Sequence, residues 1–518
     1  MPDDATTAAN QPIVETKYGR VRGERAGGTQ RWRGIPYAAA IAGPNRFRAP
    51  RPPEPWDGVR DCTRFGDIAL QSLGNAVPID SSLRQGPDCL WCTVWSPAAD
   101  DDARRPVMVW LHGGAYCLGT AAQPIYNGRH LAETGDVVIV TVNYRLGAFG
   151  FIDFSSFSTT DAVFESNLGL RDQIAALEWV RDNIANFGGD PDNVTVFGES
   201  SGGGSVTTLL TSPKAEGLFH RAIAQSSPAT SVYGAERAAG VARRFLELAE
   251  LSPERAGELY ELSDQQLGKA ADLLIDEVAR NVPGTLATAP VVDGDVVPYY
   301  PVAAFRNGAS HRVPLIIGSN KDEASLFRMM RSALLPVTPG AVEQMFELLA
   351  ADHPNLSPER LAEIAAAYPT SKKRALAMTT DAGFRMPTLW VADGHSRHAP
   401  TWVYRFDHAA PMLKAARVGA THAVELPYVF GTFGSFSPDP TFWLGGRKTA
   451  LEVAGRVQRR WLAFAHHGVP AALDGSKHWA PYDETTRDTL LIDTTDALAH
   501  DPEKALREAW GDKVMAFS

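Results

Sequence analysis

Gly198-Glu199-Ser200-Ser201-Gly202 sets a serine hydroxyl in a glycine-flanked turn, and Leu111-His112-Gly113-Gly114-Ala115-Tyr116 sets a glycine pair directly after an apolar run. The first pattern suits acyl transfer. A serine hydroxyl becomes a nucleophile when a base, an orienting acid and donors for the oxyanion act on it together. The second pattern supplies such donors, because Gly113 and Gly114 let backbone N–H groups approach a developing negative charge. Taken singly, a Ser/Gly loop and a Gly-Gly turn are ordinary features. Context gives them meaning: β-rich Val194-Thr195-Val196-Phe197 precedes Ser200 and a helical Gly203–Leu210 stretch follows it. That strand, turn and helix make the setting of a nucleophile elbow, where any Cβ on the flanking glycines would collide with a neighbouring element.

Ser200 then needs partners on the same rim. Glu323 follows the run Leu315-Ile316-Ile317-Gly318 through a short loop, and open α/β sheets place their sites beyond strand C-termini. Asp322 beside it fits a helix cap better. Thirteen histidines compete for the base. His422 lies in a loop after the strand-like Trp402–Arg405, whereas Asp407-His408 is a rival nearer the strand end. His466-His467 falls in a C-terminal helix, where neighbours point to different faces. His395 and His398 lack a carboxylate ligand pattern and read as a solvated pair, so no metal site is expected. Cys89-Leu90-Trp91-Cys92 is a lone CxxC leading into a strand, and with Cys62 and Cys117 it reads as buried structural thiols.

The positioning elements follow from hydrophobic patterning. The chain has 518 residues, 44% of them hydrophobic. Apolar runs at 107–111, 137–142, 194–197, 315–317 and 402–404 alternate with helical patterns, which predicts an α/β fold with a mostly parallel sheet covered on both faces. Ile13–Thr16 and Gly19–Gly23 read as a hairpin. Leu168–Phe187 reads as an amphipathic helix stopped by Gly188-Gly189-Asp190-Pro191. A flexible tail over 1–11, one domain over 12–518 and a helical insertion over about 324–396 are expected. A net charge of −10 without a Lys/Arg block argues against nucleic acid, and no apolar run is long enough to span a membrane. No signal segment is visible, so a cytoplasmic monomer or homodimer is the expectation.

Taken together, the chain resembles the type-B carboxylesterases, which include bacterial para-nitrobenzyl esterases, animal carboxylesterases and cholinesterases. The resemblance runs from about Val14 to Trp479. It rests on Arg33-Gly34-Ile35-Pro36-Tyr37-Ala38, Pro87-Asp88-Cys89-Leu90, the His112 loop and Asn167-Leu168-Gly169-Leu170-Arg171-Asp172-Gln173. Phe187–Pro191, Val194–Gly204, Asn320–Glu323 and His422–Leu426 complete it. The resemblance implies an α/β-hydrolase fold with a small N-terminal β subsheet. It makes Ser200 the nucleophile, Glu323 the acid and His422 the base, with an oxyanion hole from the N–H groups of Gly114, Ala115 and Ser201. Ala115 stands where the family often has a third glycine. Glu199 would be a buried carboxylate near the imidazolium, and Ser226 a support for the acid.

The resemblance also implies a Cys62–Cys89 disulfide, although reduced thiols are expected in a cytoplasmic chain. No Trp occurs from Thr63 to Asp88, which disfavours a choline-ester specialist, and the small residues of Gly284–Ala289 suggest a roomy acyl pocket. The implied activity is hydrolysis of a small-molecule carboxylic ester through an acyl-enzyme, with no cofactor. Carbamate, amide or lipase chemistry on the same residues is the alternative, followed by a non-catalytic binding role. Activity is expected to fall as pH drops through about 6–7, where free imidazole protonates.

Overall fold

β-Branched side chains pack well on a pleated sheet, and when both faces are covered the strands read as continuous apolar runs. The computed structural model describes residues 11–71, 79–99, 102–352, 358–435, 439–472, 479–511 and Phe517. The expected tail thus lies almost wholly outside the described residues. In chain order the strands are β1 (Ile13–Thr16), β2 (Gly19–Arg22), β3 (Glu24–Ala26), β4 (Thr29–Pro36), β5 (Val59–Asp61), β6 (Trp91–Ser96) and β7 (Arg105–Leu111). They continue with β8 (Val138–Val142), β9 (Gly189–Glu199), β10 (Arg221–Gln225), β11 (Leu315–Asn320), β12 (Thr401–Phe406), β13 (Asp488–Ile492) and β14 (Ala497–His500).

β1, β2 and β5 form a small N-terminal sheet, and the rest form one sheet ordered β14-β13-β12-β11-β10-β9-β7-β8-β6-β4-β3. Pairing is parallel from β8 through β7 and β9 to β13, and antiparallel at both flanks. The order reverses at β7, with β8 on one side and β9 on the other. A crevice opens at such a reversal, beyond the strand C-termini. The loop after β7 and the turn after β9 both meet there.

Side-chain alternation fills both faces. Val107, Val109 and Leu111 of β7 join a core with Leu170 and Leu177 of the helix Leu168–Asn183. Met108 and Trp110 join the opposite core with Val453, Val457 and Trp461 of the helix Arg447–His467. Between β11 and β12 the described chain carries helices Ser325–Met330, Pro339–Asp352, Pro358–Ala366, Arg374–Thr380 and Met386–Ser396. No helix among the described residues is long and apolar enough to cross a membrane.

Cys62, Cys89, Cys92 and Cys117 are all buried free thiols, so the Cys62–Cys89 bond that the resemblance implies is not formed. Burial pushes the Cys62 thiol up to about 12 and raises Cys89 as well, which suppresses the thiolate that disulfide chemistry requires.

A buried ion pair ties the core to the site. Arg145 and Asp172 are both fully inaccessible, and Arg145 donates from Nη2 to Asp172 Oδ1 at 2.6 Å and from Nε to Oδ2 at 2.8 Å. Its Nη1 donates to the Arg48 carbonyl at 2.7 Å. The next residue, Gln173, donates to Ser205 Oγ at 3.1 Å in the helix that begins just after Ser200. Asp172→Asn leaves a guanidinium buried without its counter-charge and is expected to cost about 3–5 kcal/mol. Guanidinium unfolding checks this, and an unchanged midpoint would contradict it.

Candidate active site

Ser200 sits between β9 and the helix Ser201–Leu209 with φ 58° and ψ −128°, outside the regions a non-glycine residue prefers. Such strain persists where surroundings over-determine it. Here Ser200 N–H donates to the Gln225 carbonyl at 3.0 Å, and Gly204 N–H donates to the Ser200 carbonyl at 2.8 Å. The elbow needs glycine at 202, because a Cβ there would lie 2.1 Å from the Leu111 carbonyl oxygen. The two strand ends therefore touch through backbone.

Ser200 Oγ lies 2.8 Å from His422 Nε2, and His422 Nδ1 lies 2.7 Å from Glu323 Oε2. A carboxylate accepts, so Nδ1 carries the proton and Nε2 is free to accept from the serine. Glu323 is fully buried. Its other oxygen, Oε1, accepts from Ser226 Oγ at 2.7 Å and from Asn320 N–H at 2.6 Å. Ser226, which the resemblance gives as a support for the acid, is thus hydrogen-bonded to the Glu323 carboxylate. The loops carrying acid and imidazole are stitched together: Asp322 N–H donates to the Ala420 carbonyl at 2.8 Å, and Leu326 N–H donates to Thr421 Oγ1 at 2.7 Å. Asp322 spends its carboxylate on Ala420 N–H at 3.1 Å instead of capping the helix Ser325–Met330.

Beside Ser200 the loop after β7 turns back through Gly114 (φ 125°), Ala115 (φ 51°) and Tyr116 (φ 60°). At Gly114 a Cβ would fall 1.9 Å from the Leu118 carbonyl oxygen. The N–H groups of Gly114, Ala115 and Ser201 bond to no acceptor among the described residues. Gly113 runs against Glu199, where a Cβ would stand 2.8 Å from its carbonyl oxygen. His112 stacks on Tyr144 at 4.4 Å between ring centroids, and burial lowers it to about 4, so it stays neutral.

Glu199 is buried with Oε1 3.2 Å from His422 Nε2, close enough for charge but not aligned as a hydrogen bond. Burial pushes its carboxyl up to about 8, against the pull of His422. Burial opposes protonation of His422 too, but Glu199 and the hydrogen-bonded Glu323 outweigh it and push the imidazole up to about 9. The acid limb expected from a free imidazole is therefore displaced to higher pH. Glu199→Gln removes an anion that favours imidazolium, so the ring deprotonates at lower pH and the acid limb of kcat/KM is expected to move down by about 1 unit or more. A pH–rate profile in which the limb stays in place would contradict this coupling.

Sequence reasoning assigned no role to Asn320, Gln225 or Glu425. Glu425 is buried and accepts from Gln225 Nε2 at 3.1 Å and from Asn320 Nδ2 at 2.5 Å, so these side chains form the floor beneath Glu323. Glu425 sits three residues after His422, a spacing that could have flagged it. The rival histidines are engaged elsewhere. His408 Nδ1 faces Asp493 at 3.3 Å, and His466 Nε2 contacts the Gly135 carbonyl at 2.8 Å. His395 is not solvated as expected; it is fully buried, with Nδ1 at 3.0 Å from Ser310 Oγ and Nε2 at 2.9 Å from the Val313 carbonyl.

A cleft enclosing about 850 Å³ of empty space, its mouth included, opens onto Ser200, Ser201 and Ala115. Its walls include Tyr233, Leu286, Phe327, Leu334, Met345, Phe384 and Phe517, and the described lining carries no charged side chain.

A hydroxyl, an imidazole and a carboxylate linked in series at the reversal of a mostly parallel sheet define a serine hydrolase with the α/β-hydrolase architecture. The profile of the carboxylesterase family matches residues 10–510, and the chain belongs to that family as a carboxylic ester hydrolase of the serine type. It is 39% identical to a para-nitrobenzyl esterase of Bacillus subtilis (strain 168), over 96% of this chain and 98% of that protein. It is 34% identical to the pyrethroid hydrolase Ces2e of Rattus norvegicus, over 91% of this chain and 84% of that one. A solved PNB esterase structure superposes with a TM-score of 0.84 at 38% identity, covering 96% of this chain and 99% of the other.

Proposed function

We propose that Ser200 is the nucleophile of a two-step acyl transfer, with His422 as general base and Glu323 holding the imidazole in the required tautomer. The Ser200–His422–Glu323 series of hydrogen bonds carries this reading. As Ser200 Oγ attacks the ester carbonyl, its proton passes to Nε2, and the imidazolium that forms is stabilised by Glu323 and Glu199. The oxyanion is held by the N–H groups of Gly114, Ala115 and Ser201, each worth about 3–4 kcal/mol in the transition state. The proton then leaves on the alcohol, and water repeats the cycle on the acyl-enzyme.

The uncharged cleft supports neutral, largely apolar esters as substrates. A panel of para-nitrophenyl esters of graded acyl length tests this, with medium chains expected to exceed acetate in kcat/KM. Stoichiometric labelling by a fluorophosphonate, lost in Ser200→Ala, tests the nucleophile; labelling that survives the substitution would sink it. The same reading takes the enzyme as cytoplasmic, which its four buried free thiols support, and as a monomer or homodimer.

A further inference from the structure

The helix Arg374–Thr380 does not run smoothly into Met386–Ser396; the two are joined by a π-helical turn, Asp381–Arg385. A π turn accommodates one extra residue, sacrifices helical packing, and tends to persist where it aims side chains at a site. Three contacts leave this turn for the reacting groups. The Phe384 ring, almost completely buried, packs on the His422 imidazole at 4.7 Å between centroids with a 38° interplanar angle. Arg385 Nη2 donates to the Lys321 carbonyl at 2.9 Å, two residues before Glu323. Thr380 Oγ1, at the turn's start, accepts from Ala324 N–H at 3.2 Å, one residue after it. Both ends of the acid loop are thereby held from a single turn that also presses on the imidazole.

The turn is itself locked. Arg385 Nη1 donates to the buried Asp381 Oδ1 at 2.5 Å, and Tyr368 OH donates to Asp381 Oδ2 at 2.5 Å. Trp510 Nε1 closes the chain with a 2.6 Å hydrogen bond to Tyr368 OH. Nothing in this network reaches the substrate cleft except the apolar edge of Ala382, Gly383 and Phe384.

We propose that the π turn Asp381–Arg385 is a positioning element for the reaction, with Phe384 fixing the imidazole rotamer and Arg385 fixing the acid loop. This rests on the reading of Ser200, His422 and Glu323 as the reacting series. A planar guanidinium spans Asp381 and Lys321 at once; a lysine ammonium keeps the ion pair but cannot hold both. A misplacement of the order of 1 Å at a reacting group costs about 10²-fold in rate.

The test measures kcat and KM of Arg385→Lys and Phe384→Leu on para-nitrophenyl acetate, alongside guanidinium midpoints and the rate of fluorophosphonate labelling. Expected is a fall in kcat of about 10- to 100-fold with KM within about twofold, and a parallel slowing of labelling. Unchanged kcat with a lowered midpoint, or a change in KM alone, overturns the proposal and leaves the turn a wall of the cleft. Should Arg385→Lys fail to fold, Phe384→Leu decides by the same split. Ser200→Ala run in parallel separates the two readings. Turnover surviving in that variant defeats the catalytic series itself, whereas a dead Ser200→Ala beside wild-type-like turn variants defeats only the positioning role.

Discussion

Ser200→Ala is expected to lower kcat for para-nitrophenyl esters by about 10⁵- to 10⁶-fold while leaving the guanidinium midpoint within about 0.5 kcal/mol of the parent. In the proposed mechanism the loss is large because the hydroxyl oxygen forms the bond to the acyl group, and water entering the cleft lacks both its placement and its covalent intermediate. The stability change is small because Ser200 Oγ faces the cleft, and its removal frees a partly buried contact with His422 Nε2 and nothing else. Backbone bonds to Gln225 and Gly204 fix the elbow independently of the side chain. A residual rate of about 10³–10⁴ over water is expected from the oxyanion donors and binding alone. The measurement is a burst-phase assay with a circular-dichroism control. A burst of para-nitrophenol in the variant would remove Ser200 from the mechanism.

Glu323→Gln carries the second largest effect, about 10⁴-fold in kcat. The carboxylate accepts from three donors, namely His422 Nδ1, Ser226 Oγ and Asn320 N–H. An amide has one accepting oxygen. If that oxygen serves Asn320 and Ser226, the NH₂ group faces Nδ1 and forces the proton onto Nε2, where it blocks transfer from Ser200. If the amide turns round, its NH₂ group faces the Asn320 N–H, donor against donor, inside a fully buried site, and the Ser226 hydroxyl must reverse to accept. Either arrangement is also expected to weaken the hold on imidazolium. Single-turnover acylation isolates the step, and a rate within tenfold of the parent would show that the acid is another residue.

The elbow, the glycine loop and Glu323 were legible in the chain because each signal is local, whereas His422 was singled out from its rival His408 only by the family resemblance. The elbow, the glycine loop and Glu323 each follow an apolar strand within a few residues, whereas His422 lies 16 residues beyond Phe406 in the loop after its strand; strand ends in a parallel sheet share a rim. Patterning likewise indicated the covered parallel sheet, since β7 alternates Val107, Val109 and Leu111 against Met108 and Trp110 into two separate cores. The histidines show where local reading stopped. His395 carries no mark distinguishing a buried side chain bonded to Ser310 from a solvated one, as its partner lies 85 positions away.

Residue types and spacing pointed to a class of chemistry, with a candidate nucleophile, acid and backbone donors at strand-end loops, and the family resemblance chose the base. Tertiary structure decided what those groups experience. The bond from Ser200 to His422 joins residues 222 positions apart, and that from His422 to Glu323 spans 99. Their burial beside Glu199, the displacement of the imidazole to higher pH, the floor of Asn320, Gln225 and Glu425 and the neutral walls of the cleft all arise from chain convergence. Hydrogen-bonding patterns and strand propensities act over a few residues, whereas desolvation and charge coupling depend on what packs alongside, which no stretch of sequence contains by itself.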